Sequence, residues 1–148
     1  MNAEEHGRKH WDTTERVLAA YYTVLSELGS GFAECVYREA MVVVLKDDGL
    51  NVAREFPLKA RFRGRVVGNF RADLLVGGKV LVELKAVRSL DASHEGQLLN
   101  YLRCSVIEVG LLLNFRARPQ VKRLIFTNDR KTGTGRTEMV GKPRSNPR

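Results

Sequence analysis

The stretch Ala72-Asp73-Leu74-Leu75-Val76-Gly77-Gly78-Lys79-Val80-Leu81-Val82-Glu83-Leu84-Lys85-Ala86-Val87 decides how this chain folds. It holds two apolar runs separated by a Gly77-Gly78 turn. Runs rich in Val and Leu, bounded by turn residues, read as buried strands. The polar exceptions are Asp73 in the first run and Glu83 and Lys85 in the second. Burying a carboxylate or an ammonium is costly unless it is paired or bound to a metal. Side chains at i and i+2 of a strand share a face, so Glu83 and Lys85 stand side by side while Leu84 faces the other way. Two carboxylates and one lysine converging on a site suit metal-assisted hydrolysis of a phosphodiester.

The hairpin sets a test of that convergence. A two-residue Gly77-Gly78 loop pairs Asp73 with Val82 and throws Asp73 and Glu83 onto opposite faces, because a one-residue slip inverts the side-chain pattern. A three-residue Gly77-Gly78-Lys79 loop pairs Val76 with Val80, and hence Asp73 with Glu83. Glycine suits the left-handed position of such a loop. The odd-length loop, or an equivalent bulge, is therefore expected.

Outward from this hairpin the chain reads as α/β. Asp12-Thr13-Thr14-Glu15 resembles a capping box. Val17, Leu18, Tyr21, Val24, Leu25 and Leu28 then recur at helical spacing. Gly29-Ser30-Gly31 breaks that helix, and a second is expected from Phe32 to Asp48, with Val36, Tyr37, Ala40, Met41, Val44 and Leu45 inward. Gly49 is placed as its C′ residue. Asn51–Leu58 and Lys59–Phe62 alternate weakly, and Val66–Val76 follows with a possible break at Gly68. Asp91 caps a helix over Ala92–Ser105, and Val109–Phe115 and Val121–Phe126 are further strands. The expected architecture is a mixed central sheet with helices on its faces.

The 148 residues suit one domain with a real core. The expected organisation is a flexible N-terminus over 1–11, a body over 12–127 and a basic, flexible tail over 128–148. The polar segment Met1–Trp11 has no apolar core of a signal peptide. No run approaches a bilayer span, and a cytoplasmic location is expected. Cys35 and Cys104 show no metal-ligand spacing and read as small buried hydrophobes rather than a disulfide. The chain carries 25 Lys+Arg against 17 Asp+Glu, a formal charge of +8. That excess favours a polyanionic partner, and the tail reads either as a solubilising end or as an arm adding salt-sensitive phosphate affinity.

Four strings occur in order: Gly31-Phe32-Ala33-Glu34-Cys35-Val36-Tyr37, Asp73, Glu83-Leu84-Lys85, and Gln97-Leu98-Leu99-Asn100-Tyr101. Together they resemble the GxxExxY family of the PD-(D/E)XK nuclease superfamily, near its RecB-like branch, over Thr14–Phe126. Ala72 stands where the superfamily's name has proline. The resemblance implies a restriction-endonuclease-like fold and a metal-dependent nuclease; the expected substrate is nucleic acid, DNA rather than RNA. It implies that Asp73 and Glu83 bind Mg²⁺ or Mn²⁺, with Glu34 as a third carboxylate near the metal. It implies that Lys85 assists the attacking water or stabilises phosphorane charge, that Gln97 orients the site, and that Tyr101 supports its helix or contacts the phosphate backbone.

Gln97 and Tyr101 share a helix face, as do Glu34 and Tyr37. His94 lies three before Gln97 and is a candidate for substrate contact or for a structural role. Arg61, Arg63, Arg65 and Arg71 form a basic series that guides phosphate or simply solvates the sheet. Trp11 is expected to pack. The competing reading is a non-catalytic nucleic-acid-binding or partner module of a repair or defence complex. A homodimer able to cut both strands is a further possibility.

Overall fold

A computed structural model of the chain describes residues 7–131. Its elements are α1 (Trp11–Leu28), α2 (Glu34–Asp47), β1 (Val52–Phe62), β2 (Arg65–Val76), β3 (Val80–Lys85), α3 (Ala92–Arg103), β4 (Val109–Asn114) and β5 (Gln120–Ile125). The five strands form one sheet in the order β1-β2-β3-β4-β5. Only the central β3–β4 pair is parallel, as its α3 crossover requires. The expected mixed α/β sheet flanked by helices is thus the observed one.

Helices α1 and α2 cover one face, where Val17, Tyr21, Met41 and Leu45 pack on Val82, Leu84, Leu111 and Leu113. Helix α3 covers the other, where Leu98 and Leu102 meet Leu58, Leu81 and Leu112. Burial on both faces explains why β3 and β4 read as unbroken apolar runs. Each fully buried Leu or Val contributes about 1.5–3 kcal/mol. Helix α3 lies close to β4 at Gly110, where an added Cβ would sit 2.9 Å from Leu98 Cδ1.

The odd-length loop is present. Val76 pairs with Val80, Leu75 with Leu81 and Leu74 with Val82. Gly77 and Gly78 have φ of 61° and 67°, the left-handed region that glycine enters freely. The β1–β2 ribbon holds a second irregularity. Even-numbered Phe56, Leu58 and Ala72 belong to the α3 layer, whereas even-numbered Val52, Leu74 and Val76 belong to the opposite one. Arg54 pairs with Leu74 and Phe56 with Ala72, so the change of face falls at Glu55 and Asp73. Glu55 accommodates it with a φ of 47°, unusual for a residue bearing a Cβ.

Several local expectations change. Helix α1 opens at Trp11 with left-handed His10 as its N-cap, so Asp12 lies in the first turn and forms no capping box. Thr14 instead donates its hydroxyl back to His10 O. Helix α2 starts at Glu34, leaving Val36 exposed while Val42 is buried, because its apolar stripe follows Tyr37, Met41 and Leu45. Leu28 and Trp11 are exposed, Trp11 lying beneath the Arg123 guanidinium. Cys35 is exposed and only Cys104 is buried, both as free thiols. Segments 51–58 and 59–62 form one strand, and β2 is also one strand, but the register shifts at Ala60/Arg61, where Val67 beside Gly68 is the extra residue of a bulge. Gly49 ends α2 as expected, with Gly49 N–H donating to Lys46 O and Leu50 N–H to Leu45 O. Asn128–Arg130, at the start of the tail expected over 128–148, form a short 3-10 turn, while its remainder over 132–148 and residues 1–6 of the expected N-terminal segment lie outside the described residues. Among the described residues no helix is long and apolar enough to cross a membrane.

Candidate active site

Asp73 and Glu83 meet where β2 and β3 stop pairing. The ladder ends at Leu74–Val82, and the next position on each strand carries a carboxylate. The backbone N–H of Asp73 donates to Glu83 Oε1 at 2.7 Å, and that of Leu84 donates to Asp73 Oδ2 at 2.9 Å. Each acid thus takes a main-chain donor from the opposite strand. Glu83 is only 5% exposed. Burial, followed by the neighbouring Asp73 carboxylate, pushes its pKa up to about 8. Burial also raises the pKa of Asp73, opposed by the Leu84 hydrogen bond and the charge of Arg38. Lys85, two residues along β3, donates from Nζ to Gln97 Oε1 of α3 at 3.1 Å.

Two acids and a lysine at the end of a central strand, the second acid separated from the lysine by one residue, can be set beside known proteins. The PD-(D/E)XK nuclease superfamily model matches residues 11–124. The chain belongs to this superfamily. It is a superfamily of nucleases that usually use divalent metal ions, and the five-stranded mixed sheet with its helices is the restriction-endonuclease-like fold. A solved structure described as the crystal structure of SSO0001 is 19% identical, with a TM-score of 0.47; the alignment covers 83% of this chain and 62% of that one. No curated protein matches.

In this PD-(D/E)XK chain, α2 approaches the acids from one layer. Glu34 is exposed at its first turn, and its Oε2 takes the Ala86 N–H at 3.4 Å. Its charge adds to those raising the pKa values of Asp73 and Glu83. Arg38, one turn on, brings Nη1 to 4.0 Å from Asp73 Oδ1. The sequence reading passed over Arg38, although its i+4 spacing from Glu34 was a usable signal. Tyr37 does not join the site: its hydroxyl donates to Gly29 O at 2.6 Å and accepts from Phe32 N–H, which fixes the turn before Glu34.

The opposite layer supplies α3. Tyr101 is 7% exposed, and burial, then the charges of Glu83 and Asp73, raise its pKa. Gln97, one turn before Tyr101 on the same face, accepts from Lys85. His94 closes a capping box instead: its Nδ1 accepts from Asp91 N–H at 3.0 Å. The same nitrogen lies 3.3 Å from Asp91 Oδ1, but an N–H can only donate, so the backbone contact fixes Nδ1 as an acceptor. Arg71 is turned to Glu55, 3.8 Å away, rather than to the carboxylate pair.

A buried polar lattice that sequence reasoning missed fixes the segment after Lys85. Asn114, fully buried, accepts from Val87 N–H and donates to Val87 O and to Gln120 Oε1. Gln120 also takes Leu90 N–H, and Phe115 N–H donates to Lys85 O. A lone Asn at a strand end gave no pattern that could have marked this role.

The pair fits a hard divalent cation in chemistry. All its donors are oxygens, and among the described residues no hydrogen-bond donor reaches Glu83 Oε2. Among the described residues no three His, Cys, Asp or Glu side chains group closely enough to hold a metal. Glu34, the expected third carboxylate, takes the Ala86 N–H and acts on the pair through its charge.

Proposed function

We propose that the chain is a metal-dependent nuclease that hydrolyses DNA phosphodiesters in preference to RNA. The observation that supports this is the crossed Asp73–Glu83 pair, each acid held by the other strand's backbone, with Lys85 beside it. Asp73 and Glu83 would hold Mg²⁺ or Mn²⁺, and Glu34 would serve as an outer carboxylate near it. When bound, such an ion polarises the phosphate and lowers the pKa of its water. Lys85 places its ammonium, aimed by Gln97, where it can hydrogen-bond the attacking water or the charge that grows on phosphorus-bound oxygen. Tyr101, one turn on, supports the same helix face. The surplus of basic residues raises the local concentration of a polyanion.

The GxxExxY placement gains support from the turn, since Tyr37 ties Gly29 and Phe32 together and so presents Glu34. The test is cleavage of labelled single- and double-stranded DNA and RNA in Mg²⁺, Mn²⁺ or EDTA. Asp73→Ala, Glu83→Ala and Lys85→Ala should each lose at least about a hundredfold, the scale of lost transition-state stabilisation. Cutting that persists in all three folded variants overturns the proposal.

A further inference from the structure

We propose that the groove between the outer end of the β1–β2 ribbon and α3 is a track for an unpaired strand flanking the scissile phosphate. This inference rests on the nuclease reading and adds the form of its substrate. Beyond Asp73 the ribbon exposes large apolar side chains: Phe62 at 53%, Val66 at 41%, Val67 at 65% and Phe70 at 41%. Arg61, Arg63, Arg65 and Arg71 are interleaved with them. Arg61, Phe62, Val67 and Phe70 line a groove of about 370 Å³ whose other wall is Asn100 and Arg103 of α3. Among the described residues no carboxylate lines it.

Arg61 is the half-buried cation of this groove. Among the described residues its Nε is enclosed and meets no acceptor, as is true of Arg123 Nε outside the groove. A donor without a partner costs about 1–3 kcal/mol, and a phosphate held by the rest of the Arg61 guanidinium would offset that cost. The groove also leads to the acids. The Phe70 ring centroid lies 5.7 Å from that of Tyr101, one helical turn beyond Gln97, the acceptor of Lys85. Along β2, Phe70 precedes Asp73 by three residues, about 10 Å at the usual strand rise.

Exposed rings among arginines suit bases that have left their stack, because stacking needs a free base face and the arginines follow the backbone. Paired bases in a duplex hide those faces. A protein partner fits less well, since the centres of such interfaces are depleted of charge.

The test is fluorescence anisotropy of the full chain in EDTA with a short labelled single-stranded DNA, the same sequence as RNA, and the blunt duplex. The single strand should bind more tightly than the duplex. Phe62→Ala and Phe70→Ala should each weaken it about tenfold, the scale of one lost stacking contact. Arg61→Gln should weaken it and flatten the dependence on log salt by about 0.7, one phosphate contact. The RNA arm reports whether the sugar matters. Phe62 is exposed, so its variant keeps the fold even if Phe70→Ala does not. Unchanged affinity in folded Phe62→Ala and Arg61→Gln, or preference for duplex, overturns the track and leaves the patch to a protein partner. Loss of cutting in Lys85→Ala with strand binding retained separates the two readings. Cutting that depends on Asp73 but ignores Phe62, Phe70 and Arg61 removes only the track, whereas strand binding without any cutting removes only the nuclease.

Discussion

The backbone N–H of Asp73 donates to Glu83 Oε1, while the Asp73 carboxylate takes the N–H of the residue after Glu83. The two acids are therefore latched to each other's strand and repel one another at the same time. Glu83 carries the strain, with a pKa pushed up to about 8. A folded-state pKa above the unfolded one means the native state holds more protons between the two values, so stability falls as pH rises. In EDTA, the melting temperature should decline from about pH 5 to pH 8. Glu83→Gln should flatten that decline and raise stability at pH 8 by about 1 kcal/mol, or about 2–4 °C for this size. A wild-type profile no steeper than that of Glu83→Gln in differential scanning calorimetry refutes this account. Added Mg²⁺ should stabilise the wild type more than the variant, because a cation needs the ionised carboxylate.

Lys85 and Gln97 offer a cleaner separation of aim from fold. Gln97 is exposed, and its amide oxygen orients the Lys85 ammonium at 3.1 Å. Gln97→Ala should cost under about 0.5 kcal/mol in urea titrations. It should lower kcat about tenfold and leave KM nearly unchanged, as expected when a group acts in the transition state. Gln97→Glu should recover part of that loss, since a carboxylate oxygen can also accept from Lys85.

Gly110 sets how closely α3 approaches the sheet. A Cβ there would meet Leu98 Cδ1 at 2.9 Å, in a fully buried layer. Gly110→Ala should destabilise by about 1–3 kcal/mol, the cost of overpacking. It should also cut activity severalfold, because Gln97 precedes Leu98 and moves with it. Pairing it with Leu98→Val should restore much of both, as read by thermal melts and turnover together.

Glu55 tests the change of face in the ribbon. At φ of 47° a β-branched residue is disfavoured and glycine is free. Glu55→Val should destabilise by about 1–2 kcal/mol, whereas Glu55→Gly should be near neutral. Equal stability of the two in chemical denaturation would show that the left-handed backbone carries no strain.

What could be read from the residues followed from strong, local constraints. The Gly77-Gly78 loop forced a choice of register, and only one choice brought Asp73 to Glu83. The unbroken apolar runs of β3 and β4 announced burial on both faces. The capping of α1 was misplaced because left-handed His10, not Asp12, begins that helix. His94 was ambiguous because histidine rarely takes the place of Glu or Gln in a capping box. Arg38 was hidden among 25 basic residues, its role set by a tertiary approach to Asp73. The change of face at Glu55 left no mark, since glutamate does not advertise a positive φ.

The ribbon's change of face has a consequence for how this chain tolerates length changes. Inside Asp73 the even-numbered positions turn toward α1 and α2; outside it they turn toward α3. The outer arm is in effect a half-turn out of phase with the strand that roots it. Adding one residue to each strand between Asp73 and Phe70 would lengthen the arm and also invert everything beyond the insertion. The Phe70 ring would then leave Tyr101 and the arginines would exchange sides. Paired two-residue insertions preserve the phase, so the arm should accept even increments and reject odd ones.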